Sequence, residues 1–344
     1  MKKSILFICD WPDQVDNVKV LQTLLDKDFS ENFEWKIWSC KKGEDTRLLY
    51  RWYCYAKGAI YAIKNRKNYH AIFIWQQMVG YILFEILSIF HLRFPEIIFF
   101  TFIYNSDTIF RNFKKHLVNN ALRFSKAVIW PSLEMSKEVG RDFPQYGNKN
   151  HFTLMPVFDV IDITIPVDKE LDEPYFRNGI FTAGKSERDF NVVVRAFRNT
   201  NIPVTIVCTD GYVFTESDIT SNIRILRFSQ VSPSQYYALA AQSFCILISV
   251  INEKSPCGLL LITFAMTNSI PIIATDSYAV KDFISNNANG ILFKIGQNDE
   301  IRKSYEKLKV DEAFRNSLIN NANKTVEEMS PGYFIERLLQ IIQN

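Results

Sequence analysis

Short apolar runs alternate with longer amphipathic stretches along this chain, and the two periods separate into strands and helices. Residues 4–9 predict an apolar strand, 17–25 a helix, 34–39 a second strand and 46–63 an aromatic-rich helix. Strands at 71–75, 97–103 and 127–130 follow, interleaved with helices at 78–94, 113–123 and 132–139. Strands this short and this apolar are buried on both faces, which asks for a parallel sheet with helices on either side.

Between residues 151 and 177 the periodicity lapses into Pro156, Pro166, Pro174 and a run of acids, and reads as a linker. The alternation then restarts. Strands are expected at 180–182, 204–208, 223–226, 245–249, 271–274 and 290–293, with helices at 190–198, 233–241, 259–266, 280–284 and 299–307. Two doubly wound α/β domains in tandem result. An amphipathic helix at 333–342 closes the chain and must bury its apolar face. Sheets of this kind take ligands beyond the carboxyl ends of their strands, so two facing sheets predict an interdomain cleft where a nucleotide and a second substrate meet.

The break at Gly184 carries the most pointed chemistry. Asn178-Gly179-Ile180-Phe181-Thr182-Ala183 opens as a strand, and Gly184, Lys185 and Arg188 precede a helical pattern through Val193, Ala196 and Phe197. A strand end running into a helix start gathers free N–H groups and the positive end of a dipole, to which two full charges add. That outlines an anion site suited to a diphosphate; the other reading is a pair of solvated loop charges. In the first half, Asp10 and Trp11 follow the first strand, Gln76 the third, and Tyr104 and Asn105 the fourth. These are candidates for holding a second substrate, set against ordinary turn and capping roles.

Composition narrows the classes. A chain of 344 residues exceeds a usual single core, and its 47% hydrophobic and 22% charged residues are those of a packed protein. A net charge of +3, with no zinc-finger or RNP-like pattern, gives nucleic acid no support as a partner. The six cysteines are scattered, with no CxxC pair and no metal-ligand spacing beside the four histidines, and read as reduced cytosolic thiols. The apolar run after Met1-Lys2-Lys3-Ser4 is too short for a signal peptide, so a cytoplasmic protein that starts here is expected. Residues 78–94 are nearly all apolar, yet Glu85, His91 and Arg93 interrupt them, and a buried helix is expected rather than a membrane span. In the 50–67 region aromatics mix with cations, the composition either of a helix lying on an anionic lipid surface or of an ordinary half-buried helix with a solvated charged face.

Three segments then fall in a telling order: Gly184-Lys185-Ser186-Glu187-Arg188-Asp189-Phe190, Cys257-Gly258 running through Phe264-Ala265-Met266 to Pro271-Ile272-Ile273-Ala274-Thr275, and Asn289-Gly290-Ile291-Leu292-Phe293 with Asp299. Together they resemble the GT-B glycosyltransferases of the retaining group 1, or family 4, type, in a subgroup carrying Arg-Asp-aromatic. Weaker likeness lies in Ala127-Val128-Ile129-Trp130-Pro131-Ser132 and Leu154-Met155-Pro156. The resemblance implies two Rossmann-like domains, 1–155 for the acceptor and 178–328 for the nucleotide sugar, joined by a 156–177 linker. Residues 329–344 would cross back to the first domain. It implies Lys185 and Arg188 as ligands of the donor diphosphate, with Gly184, Glu253, Ser255, Cys257, Gly258 and Leu259 around the donor, and neither a metal nor a cofactor. The acceptor would be a glycan or a lipid-linked glycan in surface polysaccharide synthesis.

The chain departs from that pattern where a carboxylate usually holds the donor ribose: position 264 is Phe, and the earlier glutamate of the pair would fall near Pro256. Ser269 replaces a usual glycine. A catalytically silent GT-B-like scaffold in a glycan assembly complex is therefore the second expectation. A nucleotide-sugar hydrolase or epimerase is the third, without a well-placed acid or histidine to serve it.

Overall fold

The computed structural model describes residues 2–12, 16–29, 31–41, 47–101, 104, 110–154, 166–216, 219–254 and 257–343. The chain divides into two compact units, Met1–Val160 with Pro331–Asn344, and Ile161–Ser330.

The first unit runs β1 (Lys3–Pro12), α1 (Asp16–Asp28), β2 (Phe33–Lys41), α2 (Leu48–Asn65), β3 (Ala71–Ile74), α3 (Gln77–Phe90), β4 (Glu96–Phe100), α4 (Arg111–Phe124), β5 (Ala127–Trp130), α5 (Leu133–Asp142) and β6 (Asn150–Phe152). Its sheet is parallel, in the order β2-β1-β3-β4-β5-β6. Because side chains alternate across a strand, Leu6, Ile8, Ile72, Ile74 and Phe99 face the layer of α2, α3, α4 and α5. Ile5, Phe7, Phe73, Ile98 and Phe100 face α1 and the C-terminal helix Pro331–Gln343. Gly80 lets α3 lie close on the sheet, since a Cβ there would come within 2.2 Å of the Phe99 ring.

The C-terminal helix is held by Phe334, whose ring meets Trp75 and Phe100 edge-on at 5.6 and 6.2 Å. Lys126 closes its end, donating to the Ile342 carbonyl at 3.2 Å while pairing with Glu96 at 2.8 Å. A cation at a helix carboxyl end is favourably placed against the dipole.

The second unit runs β7 (Ile180–Gly184), α6 (Phe190–Phe197), β8 (Val204–Cys208), β9 (Ile223–Arg227), α7 (Pro233–Ala241), β10 (Cys245–Ile248), α8 (Leu259–Thr267), β11 (Ile272–Thr275), α9 (Tyr278–Lys281), β12 (Ile291–Phe293), α10 (Asn298–Val310) and α11 (Glu312–Glu327). Its parallel sheet has the order β12-β11-β10-β7-β8-β9. One face packs on α6, α10 and α11 through Phe190, Phe197, Ile301, Tyr305 and Leu318. On the other, Phe181 meets Tyr236 of α7 at 5.5 Å, and Tyr237 meets Phe264 of α8 at 5.0 Å.

The apolar runs that predicted strands are strands, and the differences have physical causes. β6 falls where a linker was expected, because an edge strand reading Asn-His-Phe has no apolar run to betray it. Helix α11 was not foreseen: its inward contacts come down to a few side chains such as Leu318 and Ala322 on an otherwise polar helix. Residues 166–177, also read as linker, are strapped to the second unit: Gln235 Nε2 donates to the Pro166 carbonyl, Asp168 N to Gln235 Oε1, and Arg224 Nη1 to the Leu171 carbonyl at 2.6 Å. The helix expected to run to residue 94 stops at Phe90, where His91 takes the left-handed conformation. Among the described residues no helix is long and apolar enough to cross a membrane.

All six tryptophans lie in the first half of the sequence, so tryptophan fluorescence, excited selectively over tyrosine, reports the first unit alone. Phe334→Ala is expected to lower the stability of that unit by about 3 to 5 kcal/mol in urea unfolding followed by this fluorescence. A loss under about 1 kcal/mol would mean that the C-terminal helix adds little to the first core.

Candidate functional site

The carboxyl end of β7 reaches α6 through residues 185–189, and this short loop is zipped to the carboxyl end of β10. Asp189 N donates to the Ser249 carbonyl at 3.2 Å, Ser249 Oγ to the Asp189 carbonyl at 2.7 Å, and Ile251 N to the Glu187 carbonyl at 3.1 Å. Asp189 caps α6 by accepting from Val192 N at 3.0 Å. Glu187 absorbs the tight turn with a φ of 51°.

This zipper turns the Arg188 side chain inward, where it is only 8% exposed. Its Nε donates to the Ala183 carbonyl at 3.0 Å. Two glycines make the slot. A Cβ at Gly184 would lie 2.1 Å from Arg188 Nε; one at Gly258 would lie 3.2 Å from Nη1 and 2.8 Å from Ile248. Gly258 also has a φ of +102°, a conformation that L side chains rarely adopt. The guanidinium therefore lies between the end of β7 and the start of α8, with Nη1 buried and, among the described residues, without a hydrogen-bond partner. Burial pushes the guanidinium below its ordinary pKa, while Cys257 and Tyr236 nearby hold it up. Burial likewise raises the Tyr236 hydroxyl. A buried charge without a carboxylate partner costs several kcal/mol, which makes this spot expensive unless an anion comes to it.

Lys185, on the same loop, is exposed, with its Nζ 4.8 Å from the centre of the Phe228 ring. The two cations read together in the sequence thus differ in kind: one is fixed in a dry slot, the other free to follow a ligand. At the start of α8, Gly258 is the cap, and its carbonyl already accepts from Leu261 N and Ile262 N at 3.0 Å. The earliest amides of that helix have no turn before them to bond, the usual setting for an anion or a sugar hydroxyl. Cys257 is half-buried there, Leu259 is buried, and Ser255 lies outside the described residues.

Glu253 is exposed; its backbone carbonyl accepts from Tyr278 N at 2.8 Å, which ties its loop to α9. Phe264 is 2% exposed and packs on Tyr237. The Thr263 hydroxyl is spent inside α8, donating to the Leu259 carbonyl at 2.8 Å, so it is not free to replace a missing carboxylate.

In the first unit the structure brings two of the predicted residues together. Gln76 Nε2 donates to Asp10 Oδ2 at 2.7 Å, while Gln76 Oε1 accepts from Met78 N and caps α3. Both side chains are half-buried at the carboxyl ends of β1 and β3. Tyr104 is 4% exposed, its hydroxyl donates to the Asp142 carboxylate, and its ring packs edge-on against Trp130 at 6.1 Å. Lys115 pairs with the same carboxylate at 2.8 Å, so Tyr104 is tied into the core of the first unit. Asn105 lies outside the described residues, as does the side chain of Trp11. Among the described residues no group of three or more His, Cys, Asp or Glu is placed to hold a metal ion.

Ser249 and Tyr236 were missed. Neither stands in a motif; the β7–β10 pairing puts Ser249 at the loop, and Tyr236 of α7 comes near the guanidinium by packing on Phe181 of β7.

Residues 224–325 match the family model for glycosyl transferases group 1. No curated protein matches the sequence. Among solved structures, Alr3699/HepE of Anabaena in complex with UDP-glucose is similar over 99% of this chain and 98% of its own, at 14% identity and a TM-score of 0.64. A glycosyltransferase from Rickettsia africae is similar over 99% and 98%, at 13% identity and a TM-score of 0.64. The α,α-trehalose 6-phosphate synthase of Burkholderia multivorans is similar over 100% and 96%, at 10% identity and a TM-score of 0.71. At these identities the likeness is one of fold, and the chain has the GT-B fold of two Rossmann-like α/β domains with parallel sheets.

If Arg188 is held for an anion rather than for the fold, removing its charge is inexpensive. Arg188→Met, close in volume, is expected to unfold within roughly 1 kcal/mol of wild type, or above it, in thermal melts followed by circular dichroism. A loss beyond about 3 kcal/mol would mark the residue as a structural strut.

Proposed function

We propose that this chain is a retaining glycosyltransferase that moves a sugar from a nucleotide-sugar donor to a glycan or lipid-linked acceptor in the synthesis of a surface polysaccharide on the cytoplasmic side of a membrane. The observation that carries the reading is the buried guanidinium of Arg188 at the end of β7, held through Nε on the Ala183 carbonyl with Nη1 left unpartnered among the described residues, and slotted between Gly184 and Gly258 beside the start of α8. The group 1 match over 224–325 covers that helix start and supports the same reading, as do the UDP and UDP-glucose complexes of the similar Anabaena protein.

Sugar transfer leaves positive charge at the anomeric carbon and negative charge on the departing nucleoside diphosphate. A fixed cation in a partly dry site stabilises that leaving charge with no reorganisation at the moment of reaction. Arg188 supplies it, and Lys185 closes over the diphosphate from the solvent side, without a metal. Glu253, Ser255, Cys257 and Leu259, around the cap at Gly258, are the donor-sugar contacts. The first unit takes the acceptor, with Asp10 and Gln76 as the pair that positions its hydroxyl; Trp11 and Asn105 follow the same strands and belong to the same proposal. Retention then follows from attack on the face that the leaving diphosphate vacates.

A second reading, a catalytically silent scaffold, is favoured by one observation: the buried Phe264 ring stands where the resemblance puts a ribose-holding carboxylate.

Calorimetric titration with UDP, GDP and their sugar conjugates separates the two. The transferase reading expects one nucleotide to bind selectively, and expects Arg188→Met and Lys185→Ala each to weaken binding or transfer by roughly 100-fold or more. Near-normal turnover in both variants would remove the phosphate site. A folded wild type that binds none of these nucleotides would leave the scaffold reading standing.

A further inference from the structure

We infer that the first unit docks on an anionic lipid bilayer through the outer side of α2 and the beginning of α4. The inference rests on charge and exposure and stands apart from the transferase reading, although a lipid-linked acceptor would give it a purpose.

Charge is segregated along this chain. Residues 47–124 hold eleven Lys and Arg against three Asp and Glu, while the whole chain nets only +3, so the remainder is net negative. Neither α2 nor α4 contains an acidic residue. An ordinary solvated helix face mixes both signs, which keeps it soluble and supports the helix through pairs at i,i+4.

Exposure completes the pattern. Cys54, Tyr55, Ala59 and Ala62 bury one side of α2 against the sheet. The opposite side presents Leu49 at 84% exposure, Tyr53 at 60% and Ile60, with Trp52 at its margin, interleaved with exposed Lys57 and Lys64. At the start of α4, Phe110 is 68% exposed, beside exposed Arg111 and Phe113. Helices α2, α3 and α4 each connect parallel strands across one face of one sheet, so α2 and α4 begin at the same edge, on either side of α3. Two aromatic and cationic helix starts thus lie along one rim of the unit.

A bilayer satisfies every part of this surface. Trp and Tyr settle at the headgroup level, Leu and Phe reach the acyl boundary, and the cations meet anionic headgroups. RNA would satisfy the cations and could stack on the rings, but it would leave Leu48, Leu49 and Ile60 in water.

Cosedimentation of the full chain with unilamellar vesicles tests the inference. Binding is expected to vesicles of equal parts phosphatidylcholine and phosphatidylglycerol, to weaken with added salt, and to be slight with phosphatidylcholine alone. Because each surface cation is worth about fivefold in partitioning, Lys57→Gln, Lys64→Gln and Arg111→Gln together are expected to weaken binding on the order of 100-fold with an unchanged circular dichroism spectrum. Leu49→Ser with Phe113→Ser is expected to weaken it by roughly tenfold or more. A blue shift of tryptophan emission on vesicle addition is expected to be largely lost in Trp52→Phe. The inference is overturned by a folded wild type that ignores the anionic vesicles, by equal binding to both vesicle types, or by a triple variant that binds as wild type. Tighter binding to single-stranded RNA than to the vesicles, lost in the same triple variant, also overturns it and makes this a nucleic-acid surface. Nucleotide titration of the same variants keeps the outcome separate from the donor site, since all the substituted positions lie in the first unit.

Discussion

One buried guanidinium is the cost that the second unit is built to carry. Arg188 reaches its slot because residues 184 and 258 are glycines and because Ser249 and Asp189 lock the loop to β10. Each of these features is costly or neutral for stability taken alone: a left-handed cap at Gly258, a left-handed Glu187, and a desolvated charge with one nitrogen unpartnered. The apolar core beneath carries that cost, with α6 and the β7, β8 and β10 strands buried through Phe190, Val193, Ile206 and Leu247. Strain held at a site and offset by a well-packed core is the arrangement expected where a ligand completes the electrostatics.

The first unit solves a different problem. Its sheet must be covered on both sides, and α1 covers only part of the face opposite α2 to α4. The C-terminal helix covers the rest, and Phe334 joins the stacked pair of Trp75 and Phe100 to do so. The last residues of the chain thereby belong to the first unit; the amphipathic pattern at 333–342 shows only that a face must be buried, and it was the resemblance that pointed it back to the first domain.

How much was legible follows from burial. Strands buried on both faces declare themselves as apolar runs, and β1, β3, β5, β8 and β10 were all visible for that reason. Polar or edge elements carry no such signal, and β6 and α11 were missed accordingly. At the site, the glycine and the two cations stood out as a strand end meeting a helix start, but sequence spacing treats Lys185 and Arg188 alike. Only the chain crossing at β10 buries one and leaves the other in solvent. Tyr104 shows the converse limit. Its place after β4 suggested a ligand-facing side chain, yet the partner that claims its hydroxyl, Asp142, is 38 residues away at the end of α5.

Phe264 bears on how a nucleotide could be held rather than on whether it is. The side chains of α8 are buried on nearly every side, and position 264 points at the Tyr237 ring rather than at the loop ends. A carboxylate in that environment would need a bound partner to offset its desolvation, whereas phenylalanine adds to the core directly. The exchange therefore stabilises the fold at a buried position and leaves the Arg188 slot intact, since that slot is built from β7, β10 and the cap of α8. Phosphate and ribose contacts are separable in this geometry. With Thr263 bonded back to Leu259, a hydroxyl-recognising group in the second unit has to come from the loops at the strand ends, where Glu253 is the exposed acid nearest the cap, and not from the helix.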